Sequence, residues 1–518
     1  MFRKSKMNEE LLRFCLEKGI LLDREMSEIL AKLEPAEANT LIQRISQQFN
    51  EKIITKSFFS KNAEKIGEKI IEKLGISLVR LEVTREIEKK EEKPEKIRNI
   101  KIITCYKDFS KKIEVMDFVR HFRNRFSVLR SILQSRIELD NLVSINKIFG
   151  RQNVSIIGMV CGKRVTKNKN IILELEDLTG KISVLANMNK EVYETAKNVL
   201  LDDVIAVKGT GDREIIFVNN IFYPDAKINE KIKLDREEYA AFSSDFHVGS
   251  KMFLEENLLR FIDWLNGDSG DERQRQEALK VKYLFLCGDN IDGVGVYPGQ
   301  EALLNIKDIK QQYKKLAEIL NKIRKDVTIV MCPGQHDGVR IAEPQPVLSK
   351  EYAAPLFELE NLILVSNPAL VEVANDFGRG IRVLMYHGAS FHFLISEIES
   401  LRIARAHDNP AKVVKEVLKR RHLASFHSSV SYNPNGVEDQ LVIKEIPDII
   451  ATGDLHRPEI DVYNNILIIA SSCWQSITPF EEKVGNHPDP CKVPLINLKT
   501  RQIKILDFSD EKSKEEGR

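Results

Sequence analysis

Aromatic residues are scarce in this chain, at 7% with two tryptophans, and no apolar run approaches the roughly 20 residues a membrane span needs. The first six residues lead into a charged amphipathic stretch and not a hydrophobic leader, so a cytoplasmic protein with no membrane partner is expected. An excess of one charge is also missing. Lys and Arg total 79 against 77 Asp and Glu, a net charge of +2, which excludes a surface that attracts polyanions everywhere and an acidic solvating tail. Any nucleic-acid site must be local. The seven cysteines are odd in number, scattered and never spaced C-x-x-C, which excludes a disulfide framework and a thiolate zinc site and leaves reduced, mostly buried thiols. Histidine is nearly absent from the first half. Of ten, only His121 precedes residue 240, so metal or acid-base chemistry is sought in the second half.

What is present divides the 518 residues into about three domains. Residues 1–75 place Leu11, Leu12, Phe14, Cys15 and then Met26, Ile29, Leu30 and Leu33 at helical spacing with almost no strand signals, predicting a small helical domain. A charged linker region follows over 76–116, where eleven of the fourteen residues 85–98 are charged and Pro94 breaks the run. Over 117–145, Phe118, Phe122, Phe126, Leu129 and Leu133 recur at helical spacing among Arg120, Arg123, Arg125, Arg130 and Arg136. That pattern fits a helix docked on its neighbour with a basic outer face, or a DNA-binding edge through Arg120, Arg123 and Arg125. From 146 to 228, β-branched runs are divided by Lys/Asn or Gly turns, with one helical insert around Glu191 to Val199. Four or five strands with a helix between the third and fourth suit an OB-fold β-barrel. Its few stacking aromatics, Phe217, Phe222 and Tyr223, leave protein docking open beside nucleic-acid binding. Residues 511–518 are a charged tail.

Residues 236–510 alternate strands and helices, and five apolar strand candidates run directly into polar clusters: EYAAFSSDFHVGS, KYLFLCGDNIDG, VTIVMCPGQHDG, IRVLMYHGAS and PDIIATGDLHRP. In layered α/β folds ligand sites gather at the carboxyl ends of strands, so five such ends predict one site. The chemistry they suit is phosphoester hydrolysis with two metal ions, where one carboxylate bridges and imidazoles or carboxylates hold each ion. Asp245 and His247 can reach one ion together, and Asp289 at the next strand end is the natural bridge.

The series Asp245-Phe246-His247, Gly288-Asp289-Asn290-Ile291-Asp292, Gly334-Gln335-His336-Asp337, His387-Gly388 and Gly453-Asp454-Leu455-His456 resembles that of the calcineurin-like metallophosphoesterases, whose α/β domain has layered sheets flanked by helices. With the OB-like segment, KRRHLA before PDIIATGDLH, and the later SSCWQSITPF and KVPLINLKT, the chain resembles the small subunits of archaeal family D DNA polymerases over residues 117–508. The resemblance implies a 3′-to-5′ proofreading exonuclease in DNA replication, acting on single-stranded or mismatched 3′ ends beside a large polymerising subunit. It implies two divalent ions, manganese first and magnesium or iron as alternatives. Asp245, His247, Asp289 and His456 would hold one ion. Asp289, His387, Gln335 and Asp454 would hold the other. His336 would act on the scissile phosphate with Asp337 orienting it, and Asp292 would either support a ligand from behind or cap a turn. Gln335 stands where the family pattern has Asn, and Asp454 where it has His. Both can still offer oxygen to a metal. The competing readings are a non-catalytic or catalytically weakened scaffold subunit of a DNA polymerase, and a stand-alone repair nuclease or small-molecule phosphoesterase. The OB segment and basic helix argue against the latter.

Overall fold

The computed structural model describes residues 99–106, 112–228, 230–434 and 438–509, with scattered positions between Cys15 and Ile54. The chain forms two compact units, Met1–Glu92 and Lys93–Arg518. In the first, Leu21–Leu22 pairs in parallel with Ile53–Ile54, a strand contact where only helix is expected. Cys15, Leu30, Ala38 and Ile42 are helical and buried, whereas most of the rest of residues 1–75, the charged run 85–98 and the tail 511–518 lie outside the described residues.

The second unit opens with a correction. Within the expected linker, Ile100–Cys105 forms strand β1, and its register against residues 369–373 makes it the edge of a six-stranded sheet. Ile100, Ile102 and Ile103 favour extended chain, but only the waiting sheet edge completes their backbone hydrogen bonds.

Helix α1, Val115–Gln134, buries Phe126, Leu129 and Leu133 as the apolar spacing predicts, while Phe118 is exposed. A second correction falls here. Arg125 is not a DNA-facing side chain, because it is fully buried. Its Nε donates to Asp439 at 2.7 Å and its Nη1 to the Ser425 carbonyl at 2.6 Å. Burial works against charge on Asp439, yet the Arg125 guanidinium and His422 hold it well below the usual carboxylate range. Of the other two arginines, Arg120 is exposed beside Asp117 at 2.9 Å and Arg123 is exposed.

Five strands then close a barrel: β2 (Gln152–Val165), β3 (Ile171–Asp177), β4 (Gly180–Ala186), β5 (Val204–Gly211) and β6 (Ile215–Phe222), in the order β2-β3-β4-β6-β5. Helix α2, Val192–Lys197, sits between the third and fourth strands, as an OB fold requires. Its alternating Val, Ile and Leu side chains fill the interior, and Tyr223 is buried with them. α1 joins this barrel to the following domain, since Phe126, Leu129 and Leu133 share a core with Ile157, Met159, Val204 and Val442.

The domain that follows the barrel has two six-stranded sheets. The first comprises β7 (Tyr239–Ser243), β8 (Val281–Cys287), β9 (Thr328–Cys332), β10 (Leu362–Leu364), β16 (Lys492–Asn497) and β17 (Ile503–Asp507), in the order β10-β9-β8-β7-β16-β17. The second adds β11 (Ala369–Val373), β12 (Ile381–Met385), β13 (Ile449–Thr452), β14 (Glu459–Tyr463) and β15 (Ile466–Ala470) to β1, in the order β14-β15-β13-β12-β11-β1. Phe242, Phe285, Val371, Val383, Ile449 and Ile469 share the core between the sheets. Alternate residues of the first sheet pack on α3 (Glu255–Asn266) and α4 (Ile309–Leu320), and those of the second on α5 (Phe391–Glu397) and α6 (Pro410–Arg420). Strands apolar on both faces become continuous hydrophobic runs in such a sandwich. Within each sheet the central strands are parallel, β7, β8, β9 and β10 in one and β12, β13 and β15 in the other. Their carboxyl ends therefore share an edge. No helix among the described residues is long and apolar enough to cross a membrane.

Candidate metal centre

All five polar clusters leave the ends of parallel strands, and at three of them the chain turns through the left-handed region. Asp245, His247, Asp289, Asp454 and His456 have φ of 54°, 50°, 48°, 70° and 56°. This left-handed region costs a non-glycine residue on the order of 1–3 kcal/mol and concentrates at functional sites. Two glycines permit the convergence. A Cβ on Gly288 would come within 2.4 Å of His387 Nδ1, and one on Gly334 within 2.2 Å of Asp289 Oδ1.

Each imidazole commits its Nδ1 proton to a group that can only accept. His247 Nδ1 donates to Asp292 at 3.0 Å, His456 Nδ1 to Glu481 at 2.8 Å, His387 Nδ1 to the Cys287 carbonyl at 2.7 Å and His336 Nδ1 to the Asp292 carbonyl at 2.8 Å. That leaves four Nε2 atoms directed at the site, and those of His247, His387 and His456 have the arrangement of metal-ligating histidines oriented from behind. His456 Nε2 lies 3.3 Å from both His247 Nε2 and Asp245 Oδ1. His387 Nε2 lies 3.2 Å from Asp289 Oδ2, 4.0 Å from Asp245 Oδ1 and 3.8 Å from Asp454 Oδ1. Asp245 with His247 and His456 forms one group of converging ligand atoms, and Asp245 with Asp289 and His387 a second, so Asp245 is the shared carboxylate and Asp289, the bridge expected from the sequence, joins only the second. A third group joins His247, Asp292 and His336.

Unsatisfied atoms test whether cations fit. Asp245 Oδ1, His387 Nε2, Gln335 Oε1 and Asp454 Oδ2 are buried without a hydrogen-bond partner. Buried polar atoms left unpaired cost free energy, and here they cluster where lone pairs face one another. A positive charge at their centre removes that cost, so the donors fit divalent ions. The electrostatics agree. Burial opposes charge on His387, but Asp289, Asp245 and Asp454 raise its proton affinity well above the usual imidazole value.

Asp337 corrects the expected pairing. Its carboxylate accepts from Gly334 N at 2.9 Å, Asn290 Nδ2 at 3.0 Å and Tyr313 Oη at 3.2 Å. It clamps two loops and does not orient the His336 ring, a task that falls to the Asp292 carbonyl. Burial, reinforced by Asp289, pushes the Asp337 carboxyl up to about 6. Gln335 and Asp454 meet directly: Gln335 Nε2 donates to Asp454 Oδ1 at 3.0 Å.

Several participants escape sequence reasoning. Glu481 is held down to about 2, where burial works against its charge and the His456 hydrogen bond outweighs it. T-P-F-E over 478–481 signals a helix start through its capping box, yet nothing local indicates that this Glu also supports a ligand. Gln300 and Gln475 hold Asp292 at 3.1 and 3.3 Å. His392 places Nε2 3.5 Å from Asp454 Oδ2.

Comparison with known proteins places these features in a family. The family model for the B-type subunits of DNA polymerases alpha and epsilon matches residues 240–461, and one described as OB-fold nucleic acid binding domain matches 154–214. Among solved structures, an archaeal phosphodiesterase aligns with 52% of this chain at a TM-score of 0.25 and 12% identity, a likeness too loose to add to the geometry. The DNA polymerase II small subunit of Methanothermobacter thermautotrophicus is 39% identical over 399 residues, 76% of this chain and 80% of that protein. The small subunit from Pyrococcus furiosus is 40% identical over 397 residues, 75% of this chain and 63% of the relative. With converging strand ends, an OB barrel and these relatives together, the chain belongs to the archaeal DNA polymerase II small-subunit family, the small subunits of family D.

Proposed function

We propose that the chain is a 3′-to-5′ exodeoxyribonuclease that removes mismatched or single-stranded 3′ ends beside a large polymerising subunit. The observation that carries this reading is the convergence of the Nε2 atoms of His247, His387 and His456 with unpaired carboxylate oxygens on one edge of both sheets. Asp245, His247, Asp289 and His456 would hold one divalent ion. Asp289, His387, Gln335 and Asp454 would hold the other, with manganese the first choice because carboxylate and amide oxygens suit hard cations. Such ions neutralise phosphate charge and lower the pKa of the attacking water.

The chain's own groups do the rest. The His336 side chain is 20% exposed, and its Nδ1–H is fixed on the Asp292 carbonyl, so the protonated ring turns Nε2–H toward the phosphate. Water oxygen attacks phosphorus, the bond from phosphorus to the 3′ oxygen of the preceding nucleotide breaks, and His336 gives that oxygen a proton. The products are a nucleoside 5′-monophosphate and a shortened strand ending in a 3′ hydroxyl.

A second reading, a scaffold subunit with weakened catalysis, draws on the Gln335–Asp454 hydrogen bond, which ties two expected ligand side chains to each other without a cation. One experiment separates the two. The chain co-purified with its large subunit should excise a 3′ mismatch with manganese present, and Asp289→Ala should abolish this. Retention of more than about a tenth of wild-type activity, on the order of 1.4 kcal/mol, would rule out Asp289 as the bridge. An inactive wild-type complex would favour the scaffold.

A further inference from the structure

A second concave site lies at the opposite end of the sheet that carries His387. Arg382 stands near the start of β12 and His387 beyond its end, so about five residues of extended chain, roughly 16 Å, separate the two. The site is a shallow depression of about 440 Å³, open to solvent, and its cationic floor is Lys227, Arg379, Arg382, Arg421 and Lys444. Glu445 is the single carboxylate in the lining, and Ile132 and Ile446 form apolar walls.

Three of the cations are neutralised. Arg379 pairs with Asp448 through both terminal nitrogens at 2.7 and 2.9 Å, Arg382 with Glu372 at 3.1 Å and with Glu445, and Lys444 with Glu438. Lys227 and Arg421 differ. Lys227 donates to Ser135 Oγ at 3.2 Å, and among the described residues no carboxylate lies within 4.0 Å of either cation. Arg421 is 4% exposed, and its Nε and Nη2 donate to the carbonyls of Ile443 and Lys444 at 2.7 and 2.6 Å. Carbonyls satisfy hydrogen bonds but cancel no charge. Burial accordingly draws the Arg421 guanidinium down to about 10, an effect that the more distant Asp225 only partly offsets. A buried guanidinium without a counter-ion is costly unless an anion supplies one.

We propose that this cavity binds the phosphate of a nucleotide, either a free mononucleotide or one unit of a single-stranded DNA backbone, with Lys227 and Arg421 as its charge-bearing anchors. A cationic floor of this small extent beside Ile132 and Ile446 suits a single phosphate attached to a sugar and base, whereas an acidic peptide needs an extended track. The proposal is independent of the exonuclease reading, because none of these residues belongs to the metal centre.

The test uses the full chain in EDTA, which removes the metal centre from competition. Binding of dTMP is followed by calorimetry, and binding of a fluorescent oligo(dT) by anisotropy across a salt series. Lys227→Glu should weaken both at least tenfold, and for the oligonucleotide it should lower the salt slope by about one. Arg421→Lys should weaken dTMP binding without loss of the fold, and Mn²⁺ binding should be unchanged in Lys227→Glu. Competition of dTMP with oligo(dT) assigns a mononucleotide site, and oligo(dT) binding without competition assigns a strand backbone. Equal affinity of wild type and Lys227→Glu overturns the proposal. So does binding of an oligoglutamate peptide where neither nucleotide ligand binds.

Discussion

Replacing Gln335 by asparagine and Asp454 by histidine, singly and together, probes the two positions where the chain departs from its family pattern. In the folded protein they are partners: Gln335 Nε2 donates to Asp454 Oδ1 at 3.0 Å, leaving Gln335 Oε1 and Asp454 Oδ2 buried and unpaired. Asparagine is one methylene shorter, about 1.5 Å, so Gln335→Asn withdraws the donor from Asp454. Asp454→His removes the acceptor, and with it the negative charge 3.8 Å from His387 Nε2. A hydrogen bond to a charged group is worth about 1.5–3 kcal/mol. Either single change forfeits that bond and leaves a partner stranded, so ion affinity at this half of the site should fall about 10- to 100-fold, at roughly 1.4 kcal/mol per tenfold. The double change installs a matched pair and should recover the affinity. Manganese titration by calorimetry gives all four corners of the cycle, and mismatch excision gives the same cycle for activity. The expected coupling energy is about 1–3 kcal/mol, in the range of residues in direct contact. Agreement of the double variant with the sum of the singles, within about 0.5 kcal/mol, would refute the idea that the two departures compensate one another.

His336→Ala should lower turnover by about 10² to 10⁴ while ion content stays at the wild-type level, and loss of an ion from the purified variant would instead make His336 a ligand. Arg125→Ala leaves the buried Asp439 without its guanidinium partner and with only the neighbouring imidazoles, His422 at 2.9 Å and His121 at 3.2 Å, so it should destabilise the protein by about 3–5 kcal/mol; an unchanged melting profile would show that the pair is energetically neutral. Glu343 is buried, accepts from Tyr386 Oη at 3.0 Å, and burial pushes its carboxyl up to about 8, against about 4.3 for an unfolded Glu. Because the folded value is the higher one, this group's contribution is complete below about pH 4 and is lost as pH rises through about 8. Glu343→Gln in metal-free protein should therefore flatten the stability-versus-pH profile over that window, and an unaltered slope in denaturant melts would contradict the buried neutral acid.

The sequence by itself determined the order of the parts and the candidate ligands. Continuous apolar runs ending in Asp, His or Gln mark parallel strands whose carboxyl ends meet, and hydrophobic period and turn chemistry are local properties that need no knowledge of the fold. The same holds for the OB barrel and the buried face of α1. Tertiary structure alone decided partners distant in sequence. Arg125 looks like any other arginine on a basic face until Asp439, 314 residues away, meets it in the core. Glu481 supports His456, and β1 finds its place only against β11. The link between Gln335 and Asp454 and the cationic cavity below β12 likewise come from segments brought together by the two-sheet sandwich. Periodicity reports which face of an element is buried. It carries no information on which charge waits across the interface, because that depends on how separate elements pack.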